Sequence, residues 1–184
     1  MTEYFEIYDE DNQPLHYLKS RGDVHRDGDW HRTIQVFVVN QAEQVLCNLR
    51  SKEKDVYPLC WDISVGGHAA PGESSLQTAL RELREELGVA VQPQELRFIM
   101  HCSLNGKDES TQHIDREHAA VFLYKTHLHT DDFKVAEDEI LSLEFFAVPF
   151  IKQNLRANIP AMRFVPLQEI YTHLLNKIEE QIAF

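Results

Sequence analysis

Residues 74–88 constrain this chain more than any other stretch. Ser74 followed three residues later by Gln77 forms a capping box, which fixes a helix start. Gly88 fixes its end, because glycine readily takes the left-handed conformation of a C-terminal cap. Between them Leu76, Ala79, Leu80, Leu83 and Leu87 recur at helical spacing, so the helix must lay one apolar stripe on a core. Glu82, Glu85 and Glu86 stand at i, i+3 and i+4 on the other side, with Arg81 one turn before Glu85 to brace it. Like charges at this spacing cost a helix roughly a few tenths of a kcal/mol per pair. Two readings account for the cluster: a solvated acidic face, or a seat for a hard divalent cation such as Mg²⁺, which favours carboxylate oxygens. The helix alone leaves both open.

The flanking pattern is mostly strand. Tyr4–Tyr8 and Leu15–Leu18, separated by a polar turn at 9–14, predict a hairpin. Residues 20–30, with Gly22 and Gly28, read as a loop. Strands are expected at Thr33–Val39, Val45–Arg50, Asp62–Val65 (ending at Gly66-Gly67), Leu96–Ser103, Ala119–Lys125 and Ile140–Ala147, with the polar stretch 105–118 breaking Leu96–Ser103 from Ala119–Lys125. Two helices, about Pro149–Asn158 and Pro166–Ile182, close the chain, their prolines suiting a first helical turn. This order implies an α/β (α+β) fold, a mixed sheet with helices packed on it.

With 184 residues the chain suits one domain with a small appendage. The expected division is an N-terminal hairpin and loop (1–29), a main domain (30–165) and a C-terminal helix (166–184). A net charge of −12 argues against a nucleic-acid partner, because that field repels a phosphate backbone. A small phosphorylated substrate would need local neutralisation, most simply by a bound cation. Cys47, Cys60 and Cys102 are odd in number and lack metal or redox spacing, so they read as reduced thiols. No signal peptide and no run of membrane-spanning length is evident, giving a cytoplasmic expectation with no membrane partner. The apolar residues of the C-terminal helices serve intramolecular packing or a homodimer equally well.

Extended upstream, the helix segment resembles the Nudix box. That motif runs glycine, five residues, Glu, seven residues, Arg-Glu, an aliphatic, one residue, Glu-Glu, one residue, glycine and an aliphatic. Gly67, Glu73, Arg81, Glu82, Leu83, Glu85, Glu86, Gly88 and Val89 fill every position. The resemblance implies an α/β/α sandwich with a loop–helix–loop metal site and cleavage of a diphosphate bond by water attack on phosphorus. It implies Mg²⁺ or Mn²⁺ on Glu82, Glu85 and Glu86, with the Gly67 carbonyl as an addition and a carboxylate at Glu117. Glu73 and Arg81 would hold the loop and carboxylates in place. A metal there would neutralise phosphate oxygens and make a nucleophile of bound water; Glu85 or Glu86 would take the proton.

Trp61-Asp62-Ile63-Ser64-Val65-Gly66-Gly67-His68 is also similar to the matching segment of isopentenyl diphosphate isomerases, which share this fold. Those enzymes carry their acid/base cysteine where this chain has Gly66. By that resemblance His25, His31 and His68, with Asp115 and Glu117, would hold a second metal. His113, His118, His127 and His129 read as surface histidines, and Trp30 and Trp61 as packing residues or stacking platforms. Three functions follow: a diphosphate hydrolase, an isoprenoid-diphosphate isomerase disfavoured by Gly66, and a non-catalytic sensor of a phosphorylated ligand disfavoured by the intact carboxylates.

Overall fold

The computed structural model describes residues 2–182 except 55, 109–111, 137, 158, 160 and 161. The chain runs β1 (Tyr4–Tyr8), β2 (Pro14–Ser20), α1 (Arg21–Asp27), β3 (Trp30–Val39), β4 (Gln44–Arg50), β5 (Trp61–Ile63), β6 (Val65–His68) and α2 (Ser75–Leu87). It continues through β7 (Leu96–Asp108), β8 (His113–Lys125), β9 (Ile140–Ala147), α3 (Val148–Ala157) and α4 (Gln168–Glu179).

The mixed sheet is organised around β3. It pairs parallel with β8 from Trp30↔Arg116 to Val39↔Lys125 and antiparallel with β6 from Thr33↔His68 to Val36↔Val65. Strand alternation gives β3 two apolar faces. Ile34, Val36 and Val38 meet Ala79, Leu83 and Leu87 of α2. Phe37 and Val39 face Ile151 and Leu155 of α3 and Leu174, Leu175 and Ile178 of α4. Helices therefore cover both sides, giving three layers. α2 is capped as the sequence dictates: the Ser74–Gln77 box is formed in both directions, and Gly88 is left-handed at φ 68°.

Three local expectations need correction. Residues 21–27 are helix, not loop. Ser20 caps the start by accepting from the Asp23 amide, and Gly28 ends it at φ 71°. The expected strand Asp62–Val65 is two strands, and the second runs through both glycines. Ser64, at φ 37°, makes the break. β3 and β4 pair only at Val39↔Val45 and then diverge. Ser64 fills the opening: its hydroxyl donates to the Leu46 carbonyl (2.7 Å) and accepts from the Val38 amide (3.0 Å), while Asn48 Nδ2 donates to the Ser64 carbonyl (2.6 Å). Those bonds satisfy groups that would otherwise be stranded in the core. Finally, the polar stretch 105–118 is mostly strand. β7 and β8 pair from Leu96↔Tyr124 to Asp108↔His113.

Candidate metal centre and cleft

One cleft of about 690 Å³ receives the carboxylate end of α2, the glycines of β6 and the polar ends of β3, β7 and β8. Glu82, Glu85, Glu86, Gly66, Gly67, His25, His68, His113, Asp115 and Glu117 all line it.

On the α2 wall Arg81 is the organiser. Its Nε and Nη2 donate to the two oxygens of Glu73 at 3.0 and 3.1 Å. Nη1 donates to Glu82 Oε1 (2.8 Å) and Glu85 Oε2 (2.9 Å), and Nη2 also reaches the His68 carbonyl (2.9 Å). One planar guanidinium thus fixes two box carboxylates, the loop before the helix and the strand beneath it, a task its fork geometry suits. Glu73 is further held by the Ala70 amide (3.1 Å) and the Thr78 hydroxyl (3.0 Å). Burial alone would raise its pKa, but Arg81 and these donors bring it below the usual glutamate value. Glu73 and Arg81 thus stand in the bracing positions the sequence implied.

Gly67 has a different necessity. A Cβ built there would lie 2.2 Å from Glu82 Cδ, so only glycine lets the carboxylate approach this strand. Glu82 is thereby half-buried, and burial raises its pKa. Glu86 is also half-buried; burial first, and Glu82 next among the raising influences, push it up to about 8, against the pull of Lys54. Adjacent carboxylates that resist ionisation mark a site short of positive charge, which a divalent ion supplies.

The second wall is built by register. β8 sets Glu117 beside His31 of β3, and β6 sets His68 beside Thr33 of the same strand. The helix α1 delivers His25 from above. His25 Nδ1 lies 2.8 Å from the Arg21 carbonyl and His31 Nδ1 lies 3.0 Å from the Asp29 carbonyl. A carbonyl can only accept, so both rings carry the proton on Nδ1 and turn a lone pair outward from Nε2. The three histidines have ligand nitrogens within 4.8 Å of one another. His31 Nε2 and His68 Nε2 are buried without a hydrogen-bond partner. Burial drives the pKa of His25 down to about 4 and lowers those of His31 and His68, so all three are neutral imidazoles at pH 7. Glu117 lies 3.9 Å from His31 Nε2 and 3.8 Å from His68 Nε2, and accepts from Thr33 Oγ1 at 3.1 Å. Burial first and Asp115 next push its carboxyl up to about 8. Neutral, backbone-oriented imidazoles with orphaned nitrogens beside a buried acid fit a transition-metal site. Phe5 of β1, itself buried, stacks on His68 (4.5 Å between ring centres) and His31 (5.2 Å).

The sequence-predicted residues thus gather in one place, and several others join them. Arg21, Arg50 and Lys54 bring positive charge to the cleft. Lys54 pairs with Glu139, and Arg50 Nη1 donates to Asp62 Oδ2 at 2.9 Å. Tyr171 of α4 donates its hydroxyl to Asp62 Oδ1, tying the C-terminal helix to the cleft floor. His113 and His118 are not surface histidines. His118 is buried, stacked on Trp30 at 4.6 Å, with Nε2 2.8 Å from the Asp9 carbonyl. His113 lies in the cleft, where strand alternation sets His113, Asp115 and Glu117 on one face of β8. That i, i+2, i+4 pattern was the signal available for it. Trp30 and Trp61 pack internally, Trp61 against Phe146 (5.1 Å, edge-on). The three cysteines are free, with Cys47 and Cys60 buried. Among the described residues no helix is long and apolar enough to cross a membrane.

A family model for the NUDIX domain matches residues 29–168. Nudix hydrolase 3 of Arabidopsis thaliana is 34% identical over 180 residues, which is 95% of this chain but 20% of that protein. The chain thus spans about a fifth of that relative's length. An uncharacterized Nudix hydrolase of Clostridium acetobutylicum is 30% identical over 182 residues, covering 96% of this chain and 86% of its own. An isopentenyl-diphosphate Delta-isomerase of Pectobacterium atrosepticum is 28% identical over 153 residues, covering 81% and 79%. Among solved structures, one from Deinococcus radiodurans superposes with a TM-score of 0.73 at 19% identity over 93% of this chain and 98% of that one. The NUDIX domain of NrtR from Shewanella oneidensis, solved with ADP ribose, gives 0.58 at 15% identity over 83% and 88%.

Proposed function

The chain belongs to the NUDIX family, and from that premise we propose that it hydrolyses a diphosphate bond in a small nucleotide-type phosphorylated substrate with the help of Mg²⁺ or Mn²⁺. The observation that carries this reading is the Arg81 network, which presents Glu82 and Glu85 beside Gly67, with Glu86 one turn on, at the edge of a cleft supplied with cations. Glu82, Glu85 and Glu86 would hold the ion, with the Gly67 carbonyl as an addition. When bound, such an ion neutralises phosphate oxygens and lowers the pKa of water.

The chain's own groups do the rest. Arg21, Arg50 and Lys54 attract and orient the phosphates in an otherwise acidic protein. Arg81 keeps the carboxylates in place without rearrangement, which is the electrostatic preorganisation that lowers barriers. Glu85 or Glu86 accepts the proton of the attacking water as the P–O bond to the leaving phosphate breaks. The ADP ribose held by the Shewanella NUDIX domain supports a nucleoside diphosphate linked to another group as the substrate class to try first. The cytoplasm is the compartment we assign.

The test is product release from nucleotides, dinucleotides, nucleotide sugars and isoprenoid diphosphates with Mg²⁺ and Mn²⁺, using Glu86→Gln as the control. Turnover that collapses in Glu86→Gln supports the reading. Ligand binding without turnover on every substrate would sink it.

The assembled histidine wall favours one further assignment, a second metal held by His25, His31, His68 and Glu117 with Asp115 alongside. It also keeps the isomerase reading in the panel. Against that reading stands Gly66, which offers no acid/base group where the chemistry needs one. Proton exchange into isopentenyl diphosphate would reinstate it.

A further inference from the structure

The C-terminal helix takes part in the cleft through Tyr171. This residue is 3% exposed and belongs to the apolar face that packs α4 on β3, yet its hydroxyl begins a chain of polar contacts. It donates to Asp62 Oδ1, which also accepts from the Ile63 amide at 2.8 Å. Asp62 Oδ2 accepts from Arg50 Nη1 at 2.9 Å. Both oxygens are thus committed, and the carboxylate is fixed between α4 and the end of β4. The entry to α4 is fixed as well. The Trp61 amide donates to the Arg163 carbonyl (2.8 Å) and the Val165 amide to the Trp61 carbonyl (2.9 Å), lacing this segment to β5 beside Asp62. Burial, and next the charge of Asp62, hold the tyrosine pKa well above its ordinary value, so the hydroxyl keeps the proton it donates.

The consequence falls on Arg50. Its Nε and Nη2 donate to the Val56 carbonyl at 3.2 and 2.8 Å, and its Nη1 to Asp62. Those bonds use three of the five N–H groups a guanidinium carries and leave one on each terminal nitrogen, in a side chain that lines the cleft. Such a group can still grip a phosphate through two oxygens. A free arginine loses rotamer freedom on binding, whereas one anchored at Val56 and Asp62 meets its ligand already oriented. We propose that Tyr171 is a positioning residue for the diphosphate: through Asp62 it sets the Arg50 guanidinium, so that α4 completes the phosphate-gripping side of the cleft. The inference rests on the cleft being a diphosphate site, and its test separates the two.

The experiment measures binding of imidodiphosphate, whose P–N–P bridge resists hydrolysis, by calorimetry in millimolar Mg²⁺. Wild type is compared with Tyr171→Phe, Arg50→Lys and the double variant, with Asp62→Asn as a second break in the same chain. Thr172→Val is the control, because it removes from the same helix a buried hydroxyl with no hydrogen-bond partner among the described residues. Thermal unfolding reports stability separately. The expected result is binding about 10-fold weaker in Tyr171→Phe, at least as weak in Asp62→Asn, and unchanged in Thr172→Val. The double variant should bind no worse than Arg50→Lys alone, since residues that act through one group are not additive. Unchanged affinity in Tyr171→Phe overturns the proposal even if the melting temperature falls, because the tyrosine would then serve packing alone. Losses that add in the double variant also overturn it, since Tyr171 would act independently of Arg50. An equal loss in Thr172→Val overturns it as a general effect of the helix. A wild type that binds no imidodiphosphate rejects the diphosphate site itself.

Discussion

The two walls of the cleft assemble their candidate ligands by opposite routes. On α2 the candidate ligands are carboxylates at helical spacing on one element, held by a guanidinium that lies among them. On the other wall the candidate ligands, His25, His31, His68 and Glu117, come from four elements and are aligned by strand register and by backbone carbonyls behind two of the rings. The first wall is local and legible in a short stretch of chain. The second exists only once the sheet has formed. The difference teaches that a cluster of carboxylates can be written on one helix, while a cluster of imidazoles drawn from several elements exists only once tertiary structure brings them together.

The largest effect that would sharpen this contrast is on the helix. Glu86→Gln keeps shape and removes charge, and should lower kcat by about 10³-fold with a native fold, since a metal ligand's charge acts where charge develops. Steady-state phosphate release measures it; a loss under tenfold would break the assignment of chemistry to α2. Arg81→Lys comes next, because a point charge cannot make the guanidinium's several directed bonds. A fall of about 10²-fold in kcat is expected, with Mg²⁺ binding weakened in the same variant. Then comes Gly67→Ala, which must displace Glu82 and should destabilise by about 1–3 kcal/mol in a denaturant titration. The adjacent Gly66→Ala meets nothing nearer than the Ile34 carbonyl oxygen at 3.8 Å. Its stability should stay within about 0.5 kcal/mol of wild type. Equal costs at the two glycines would refute the close approach of Glu82 to β6.

The pH dependence of metal-free protein sets the walls against each other. His25 has its folded pKa near 4, below the ordinary 6.5, so the unfolded chain binds the proton first and stability falls as the pH drops from about 6.5 to 4. Glu86 and Glu117 have folded values near 8, above the ordinary 4.5, so the folded protein holds extra protons and stability falls as the pH rises from about 4.5 through 8. Melting temperature in excess chelator should therefore peak in the mildly acidic range. A profile flat from pH 4 to 8 would show that these groups are not desolvated.

The carboxylate wall was legible in the sequence because its residues are neighbours on a helix whose caps and stripe are written in the same stretch. The alternating strands β3, β4 and β9 were legible for the same reason. α1 was not, because seven residues with one buried apolar side chain, Val24, show no stripe; only Ser20 and Gly28 announced it. The start of β8 was missed because the face it turns to the cleft carries His113, Asp115 and Glu117 instead of apolar residues, so its alternation is of chemistry and not of hydropathy. The Ser64 break was illegible because it answers the divergence of β3 from β4, a fact about three strands at once.

Phe5 has a consequence in time. Buried itself and lying flat on His31 and His68, it covers one face of both rings. Were a metal held by those nitrogens, the ring would have to stay in place for as long as the ion did, so Phe5→Ala would be expected to release such an ion faster than the wild type.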